Sequence, residues 1–182
     1  MSRRAALVDR DGTINVETPG SYVLAPDAMR LLPGAAAGLR RLHRSGLAVV
    51  VISNQAPVGR GWIDGAELAA INRRMEELLA EEGAGVDAIY SCPHDGADGC
   101  RCRKPEPGLL LDAAADLDLD LAGSFVVGDK ASDLEAGRRV GATTILVRTG
   151  QGSAALADAD ADHVADDLDG AAAIIGSLVE GG

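Results

Sequence analysis

The sequence predicts an α/β protein built on a doubly wound parallel sheet that is flanked by helices. Short apolar runs rich in valine and isoleucine alternate along the chain with longer segments of helical periodicity, which is typical of repeated strand–helix units. Each apolar run is followed at once by glycine or polar residues, where a loop is expected to begin. With 182 residues, 47% of them hydrophobic, one domain over residues 1–182 is expected to bury a core without disulfides.

Five strands and five helices are predicted in alternation. The strands are, in chain order, Ala5–Val8, Ala48–Ile52, Ala88–Tyr90, Ser124–Val127 and Thr144–Val147. Because strands of parallel sheets are covered by helices, both faces of these strands are expected to be buried. The helices are Pro33–Ser45, Asp64–Glu82, Pro107–Asp116, Asp133–Val140 and a closing Ala171–Val179.

Two connecting segments have no clear period. The 24 residues from Asp9 to Leu32 are long for a connection in a compact domain, and loops of that length are usually functional. The alanine- and aspartate-rich stretch Ala154–Asp162 is expected to be an exposed connection.

Charge and hydropathy limit the classes of function. The 17 basic and 28 acidic residues give a formal charge of −11, which disfavours nucleic acids and anionic membranes and favours divalent cations. The apolar run before Asp9 is too short for a signal peptide, and no run reaches the roughly 18 apolar residues of a membrane span. We therefore expect a cytoplasmic protein, and the aromatic content of 2% favours a monomer.

Polar residues follow four of the five predicted strands. In a doubly wound sheet, ligands bind outside the carboxyl ends of the strands. The first strand runs into DRDGT at Asp9–Thr13, and the second runs into Ser53–Gln55. The third is followed, past a cysteine-rich loop, by Arg103–Pro105, and the fourth runs into Gly128–Lys130, with Asp133 three residues further on. Acids, hydroxyls and cations are thus expected to meet at one edge of the sheet.

This set of residues suits phosphoryl transfer, which needs an in-line nucleophile, a proton donor and positive charge. Asp9 is the candidate nucleophile that would form an aspartyl phosphate, and Asp11 is the candidate general acid and base. The carboxylates of Asp9 and Asp129 predict a hard cation with oxygen ligands, for which Mg²⁺ is suited. Ser53 and Lys104 are expected to contact the transferring phosphoryl group.

Three cysteines and one histidine form a second candidate metal site. Cys92, His94, Cys100 and Cys102 lie within eleven residues, and this Cys₃His set suits tetrahedral Zn²⁺ with no open position. Such a closed site is structural, so zinc would order the loop at 92–102 and hold the cations that directly follow Cys102. The alternative is three free thiols in a reducing compartment, with the histidine exposed.

The four motifs at the strand ends resemble those of the haloacid dehalogenase superfamily of phosphotransferases. They are matched, in order, by Asp9–Thr13, Ser53, Lys104 and Gly128–Asp133. The resemblance implies a Rossmann-like fold and makes the backbone carbonyl of Asp11 a third ligand of the magnesium ion. Asp133 is expected to orient the site rather than bind the ion, or alternatively to be an acid favoured by the N-terminus of a helix.

Within that superfamily, the chain is similar to the D-glycero-D-manno-heptose 1,7-bisphosphate 7-phosphatases. The similarity rests on DRDGTIN at Asp9–Asn15, SNQ at Ser53–Gln55, the zinc loop, and GDK at Gly128–Lys130. Histidinol-phosphate phosphatases share the zinc loop and are the alternative. The heptose family implies removal of the 7-phosphate, which leaves heptose 1-phosphate.

The same similarity indicates where a substrate would bind. Arg103 is implied to recognise it, and further contacts are expected from Thr13, Asn15, Asn54, Gln55 and Lys130. Arg103, Lys130 or Arg60 could hold the second phosphate of a bisphosphate. The chain departs from the family at Ala56 and Pro57, where a contact hydroxyl is missing, and in the longer stretch Glu17–Tyr22.

Two functions without turnover remain as alternatives. A phospho-accepting signalling domain also places acids, a hydroxyl and a lysine at strand ends, but it would keep its aspartyl phosphate and has no need of Asp11. A zinc-stabilised interaction module would leave Asp9, Ser53 and Asp129 unexplained.

Overall fold

The computed structural model describes residues 2–17, 22–157 and 159–181. Within this part of the chain, six parallel strands form one sheet in the order β3-β2-β1-β4-β5-β6. The strands are β1 Ala5–Val8, β2 Ala48–Asn54, β3 Ala88–Cys92, β4 Phe125–Gly128, β5 Thr143–Val147 and β6 His163–Ala165. The helices are α1 Ala35–Arg44, α2 Ala56–Gly59, α3 Gly65–Glu81, α4 Gly108–Leu117, α5 Ala131–Arg139, α6 Gly152–Ala155 and α7 Leu168–Gly181.

The strand order reverses at the centre of the sheet. β1 pairs with both β2 and β4, so that Ala6 lies opposite Val49 on one side and Phe125 on the other. The chain winds outward from β1 to β3 and then returns to β4 on the other side. Asp9 follows β1 and Asp129 follows β4, so both lie at the switch point where ligands of doubly wound sheets bind.

Two apolar cores lie on opposite faces of the sheet. Val49 and Val51 face the core formed with α1, α3 and α7, whereas Val50 and Ile52 face the core formed with α4 and α5. This alternation follows from the two-residue period of a strand, which points successive side chains to opposite faces. The predicted α/β doubly wound, Rossmann-like fold is therefore confirmed.

The predicted burial is wrong for β3. Its residues from Ala88 to Ser91 are only half-buried, because β3 is an edge strand and has a neighbour on one side alone. The central strands β1 and β4, by contrast, are buried along their whole length.

Several elements differ from the prediction. β6, α2 and α6 were not predicted, because each has only three or four residues and shows no period of its own. α7 begins at Leu168 rather than Ala171, and α5 begins at Ala131 rather than Asp133. The described residues of Ala154–Asp162 are mostly exposed, as expected.

The centre of the long stretch Glu17–Tyr22, residues 18–21, lies outside the described residues. Among the helices that the structure describes, none is long and apolar enough to cross a membrane.

Candidate active site

A pocket of about 360 Å³ opens at the carboxyl edge of the sheet. Its wall includes six of the residues that the sequence singled out, namely Asp9, Asp11, Asn54, Arg103, Lys104 and Lys130. It also includes Glu17 and Tyr22, the two ends of the long stretch noted in the sequence, and two residues that sequence reasoning missed, Ser132 and Gln151. The ends of β1, β2 and β4 and the segment after the zinc loop thus meet in one place.

A buried lysine joins two carboxylates at the floor of this pocket. Lys104 Nζ lies 2.7 Å from Asp9 Oδ1 and 2.7 Å from Asp133 Oδ1, and it donates to the Ile52 carbonyl oxygen at 2.6 Å. The three charged side chains are at most 7% exposed. Burial would lower the pKa of Lys104, but Asp133 and Asp9 outweigh it and raise the pKa, so the ammonium stays charged.

Three buried carboxyl groups lie close together beside this lysine. Asp9, Asp129 and Asp133 offer oxygens that lie within 4.8 Å of one another. Burial raises the pKa of Asp9 to about 8, with Lys104 acting in the opposite direction, and burial also raises the pKa of Asp129. Because burial disfavours the ionised forms of Asp9 and Asp129, these oxygen ligands fit a divalent cation such as Mg²⁺, which would stabilise their negative charge.

The side chain of Lys130 lies among the same oxygens. Its Nζ is 3.0 Å from Asp129 Oδ1, 3.2 Å from the Asp11 carbonyl oxygen and 4.0 Å from Asp9 Oδ2. These are the three groups that the sequence analysis assigns to magnesium: the two carboxylates from their chemistry, and the Asp11 carbonyl from the superfamily resemblance. Glu17 Oε2 is a further partner of Lys130, at 3.1 Å. The position of Lys130 shows that a cation is stabilised here.

Backbone from two loops packs tightly around Asp129. A Cβ atom on Gly12 would lie 2.2 Å from Asp129 Oδ2, and so would one on Gly150. The backbone N–H of Gln151 donates to the same oxygen at 2.8 Å, and Thr149 Oγ1 donates to the Gly12 carbonyl oxygen at 2.7 Å. The loop after β5 therefore belongs to the site. The sheet-edge argument used for the other strands would have found it, since polar residues and glycines follow β5 as well.

The Asp11 carboxylate accepts hydrogen bonds from three side chains. Arg10 donates from Nε and Nη2, at 3.2 and 3.1 Å, Asn15 donates at 3.0 Å, and Gln55 donates at 2.8 Å. Burial would raise the pKa of Asp11, but Arg10 and these hydrogen bonds outweigh it and hold the pKa below its usual value. Arg10 is itself buried and donates to Asn72 of α3 at 2.8 Å. Asp11 is thus an ionised and oriented carboxylate.

Four residues that were predicted to contact the substrate or its phosphoryl group are buried. Thr13, Asn15, Gln55 and Ser53 are at most 1% exposed. Gln55 Nε2 donates to Ser53 Oγ at 2.7 Å, so it joins Ser53 to Asp11. The sequence placed these residues at the correct strand ends, but their burial depends on how the loop after β1 folds back over the sheet.

Asn54 and Arg103 are positioned by backbone contacts. Asn54 accepts from the backbone N–H of Lys104 at 3.0 Å and donates to its carbonyl oxygen at 3.1 Å, which fixes Lys104 relative to β2. Arg103 Nη1 donates to the His94 carbonyl oxygen at 3.1 Å. Arg60, the other predicted cation, forms an ion pair with Asp95.

The cysteine and histidine side chains of the zinc loop converge. The Sγ atom of Cys92 lies 2.7 Å from that of Cys102 and 3.6 Å from that of Cys100, and His94 Nδ1 lies 3.2 Å from Cys102 Sγ. Zinc–sulfur bonds of about 2.3 Å in a tetrahedron would separate sulfurs by about 3.8 Å. Apart from the closer Cys92–Cys102 pair, these spacings match such a site, so the four residues fit one tetrahedral zinc ion.

Known proteins support the same interpretation. A family model described as HAD-hydrolase-like matches residues 101–171. The D-glycero-beta-D-manno-heptose-1,7-bisphosphate 7-phosphatase of Pseudomonas aeruginosa is 41% identical over 152 residues, which cover 84% of this chain and 85% of that protein. The protein of the same name from Escherichia coli K12 is 38% identical over 173 residues, which cover 90% of this chain and 89% of that protein.

Solved structures agree with the sequence comparisons. The crystal structure of D,D-heptose 1,7-bisphosphate phosphatase from Bordetella bronchiseptica, complexed with magnesium and phosphate, superposes with a TM-score of 0.88 at 39% identity. The alignment covers 96% of this chain and 99% of that one. The D,D-heptose 1,7-bisphosphate phosphatase from Burkholderia thailandensis gives a TM-score of 0.72 at 33% identity, covering 95% of this chain and 98% of that one. The chain therefore belongs to the heptose-1,7-bisphosphate phosphatase family of the haloacid dehalogenase-like hydrolases, and it is a phosphatase.

Proposed function

We propose that this phosphatase removes the 7-phosphate of D-glycero-β-D-manno-heptose 1,7-bisphosphate and releases heptose 1-phosphate. The observation that carries the proposal is the position of Asp9 at the switch point of the sheet, where it pairs with the buried Lys104 beside Asp129. The names of the relatives support the heptose substrate and its β anomer.

The reaction has two steps that use Asp9 and Asp11. In the first, an Asp9 oxygen attacks phosphorus, the bond from phosphorus to the sugar oxygen breaks, and Asp11 donates a proton to the departing oxygen. In the second, Asp11 takes a proton from a water molecule, which attacks the phosphorus and releases inorganic phosphate from Asp9. The approach of an anionic substrate raises the pKa of Asp11, which favours the protonated form that the first step needs.

Lysine and metal charges stabilise the phosphoryl group during transfer. Lys104 is held in place by its two carboxylates and supplies a fixed positive charge, while Ser53 would donate a hydrogen bond. Asp9, Asp129 and the Asp11 carbonyl would hold a Mg²⁺ ion, which would offset the negative charge of the phosphate and of Asp9. The magnesium and phosphate in the Bordetella bronchiseptica structure support this assignment.

The zinc loop has a structural role in this proposal. Cys92, His94, Cys100 and Cys102 would hold Zn²⁺ and fix Arg103 and Lys104, which follow the last ligand directly. We expect the purified protein to contain one zinc ion per chain and the C100S variant to lose it. Metal analysis of both proteins tests this, and a wild-type protein that is folded and zinc-free would contradict it.

The substrate proposal is tested by measuring phosphate release in the presence of Mg²⁺. The values of kcat/KM are compared for the β and α anomers of the heptose bisphosphate and for histidinol phosphate, with the D9N variant as the blank. We expect the β anomer to be preferred about a hundredfold, which corresponds to about 2.7 kcal/mol of transition-state discrimination. A preference for histidinol phosphate would identify the alternative substrate, and a stable phosphoprotein without release would indicate a signalling domain.

A further inference from the structure

Arg60 connects three segments at the mouth of the pocket. Its guanidinium donates from Nε and Nη2 to the two carboxylate oxygens of Asp95, both at 2.9 Å, and from Nη1 to the Tyr22 hydroxyl at 3.2 Å. The same group lies 5.1 Å from the centre of the Trp62 ring and 5.6 Å from that of Tyr22. The two rings contact each other edge to face at 5.7 Å. One arginine thus joins the long loop, the turn after α2 and the zinc loop.

The zinc loop also packs directly on α2, one residue before Arg60. A Cβ atom on Gly59 would lie 2.7 Å from the Pro93 carbonyl oxygen and 3.0 Å from the Asp95 backbone nitrogen. Asp95 is further fixed within its own loop, where its Oδ1 accepts from the backbone N–H of Gly96 at 2.7 Å. The carboxylate that Arg60 contacts is therefore part of an ordered turn.

This contact is linked to the substrate pocket at two points. Tyr22 lines the pocket wall directly. Asp95 follows His94, whose carbonyl oxygen accepts the hydrogen bond from Arg103 at 3.1 Å, and Arg103 also lines the pocket. The Arg60–Asp95 pair thus lies one residue from the carbonyl group that accepts the hydrogen bond of Arg103.

We propose that Arg60 is a positioning residue that ties Tyr22, Trp62 and Asp95 into one rim and thereby holds Arg103 toward the non-reacting phosphate of a sugar bisphosphate. The proposal rests on the function proposed above and replaces the expectation that Arg60 binds phosphate itself. A two-point pair between a planar guanidinium and a carboxylate fixes orientation as well as distance. Arg60 and Asp95 are each about one third exposed, at 32% and 34%, and pairs of this kind contribute little to global stability.

Kinetics of Asp95 and Arg60 variants separate positioning from direct binding. In the D95A variant, a positioning role predicts that KM for the heptose bisphosphate rises about tenfold while kcat changes less than about twofold. R60A and R60K should behave alike, because lysine keeps the charge but cannot form the two-point contact. KM for p-nitrophenyl phosphate, which has a single phosphate, should be unchanged in all three variants. The R60A/D95A double variant should be no worse than R60A alone, because the loss of Arg60 already removes the contact with Asp95.

A change of KM in the opposite direction in the D95A variant would overturn the proposal. If Arg60 bound phosphate directly, D95A would free the guanidinium and lower KM or leave it unchanged, and R60K would retain much of the wild-type affinity. R41A and D169A serve as matched controls, because Arg41 and Asp169 form a similarly exposed two-point pair between α1 and α7, away from the pocket. Both controls should keep the wild-type KM.

Fluorescence tests the rim without any substrate. Trp62 is the single tryptophan of the chain, and Arg60 connects it to Asp95. We expect D95A to increase the quenching of Trp62 fluorescence by acrylamide, whereas D169A leaves it unchanged. Equal quenching in wild type and D95A would disprove the rim. If the wild-type protein hydrolyses p-nitrophenyl phosphate but no heptose bisphosphate, the proposed substrate is wrong, and the quenching result still decides the role of Arg60.

Discussion

Three side chains donate hydrogen bonds to the Asp11 carboxylate, more than a carboxylate that only caps a loop would need. If Asp11 donates the proton to the leaving oxygen, the loss of kcat/KM on removing Asp11 must depend on the basicity of that leaving group. We expect D11N to lower kcat/KM for the heptose bisphosphate by about 10²- to 10⁴-fold and to lower kcat/KM for p-nitrophenyl phosphate far less, because p-nitrophenolate leaves without protonation.

The parameter kcat/KM suits this comparison because it covers only the steps up to formation of the aspartyl phosphate. The D9N variant is the matched control and should lose activity toward both substrates, since it removes the nucleophile. Equal losses for the two substrates in D11N would mean that Asp11 acts as something other than a proton donor in the first step.

The absence of a side chain at Gly12 has a functional reason. This residue has a φ of 89°, and a Cβ atom there would overlap Asp129 Oδ2. Gly46, after α1, has a φ of 77° with nothing within 4 Å of its Cβ position. An alanine at Gly46 would therefore introduce backbone strain without a steric overlap. G46A should be destabilised by about 1 kcal/mol in urea unfolding, and G12A by more, because the overlap with Asp129 adds to the backbone strain. G12A alone should lose phosphatase activity, and normal turnover by G12A would contradict the assigned packing around Asp129.

The sequence was sufficient to predict which charged residues lie together in the site. It was not sufficient to predict the hydrogen bonds that each of them forms. Asp9 and Asp129 directly follow strands, so the parallel sheet brings them together, and Lys104 joins them from the end of the zinc loop. The contacts of Asn15 and Gln55 with Asp11 depend instead on the fold of the long loop after β1, which has no period that a sequence pattern could report.

At the scale of elements, Asp87 connects β2, α1 and the start of β3. Its Oδ2 accepts from the Val49 backbone N–H at 2.7 Å and is hydrogen-bonded to His43 Nε2 at 3.0 Å. Partial burial would raise the pKa of Asp87, but the hydrogen bonds from Val49 and His43 outweigh it and hold the pKa below its usual value.

A lowered pKa gives this contact a definite dependence on pH. The stabilisation is complete above the pKa of an unfolded aspartate, about 4, and is lost as the pH falls through the lower pKa of the folded state. We expect wild type to be about 1 kcal/mol more stable than D87N near pH 5, because solvent screens this half-exposed group, and we expect the difference to shrink as the pH approaches about 3. Urea unfolding at several pH values measures it. A difference that stays constant over this range would exclude the ionised carboxylate as its source.

Short elements escaped prediction because distant contacts stabilise them. β6 is aligned with β5 by Asp162, which accepts from the backbone N–H and the hydroxyl of Thr144, each at 2.8 Å. α2 has Pro57 in its first turn, a favourable position for proline, and is packed against the zinc loop through Gly59. Neither contact leaves a local period in the sequence.

For the whole molecule, the doubly wound topology explains why one edge of the sheet carries the chemistry. The alternation of strands and helices predicted the fold, and the reversal of strand order between β1 and β4 places Asp9 beside Asp129. The fold by itself does not select a substrate, because many activities share it. The pocket wall and the rim around Arg60 have to make that selection, and these are the parts that depend on irregular loops.

The central claim is that the 7-phosphate, and not the 1-phosphate, is removed from the heptose bisphosphate. Phosphorus NMR of the reaction with D-glycero-β-D-manno-heptose 1,7-bisphosphate and Mg²⁺ tests it most directly, because the two phosphates and the released inorganic phosphate give separate signals. The account predicts that the signal of the primary 7-phosphate disappears at the rate at which inorganic phosphate appears, while the anomeric 1-phosphate persists. Loss of the anomeric signal, or no change in either signal, would contradict it.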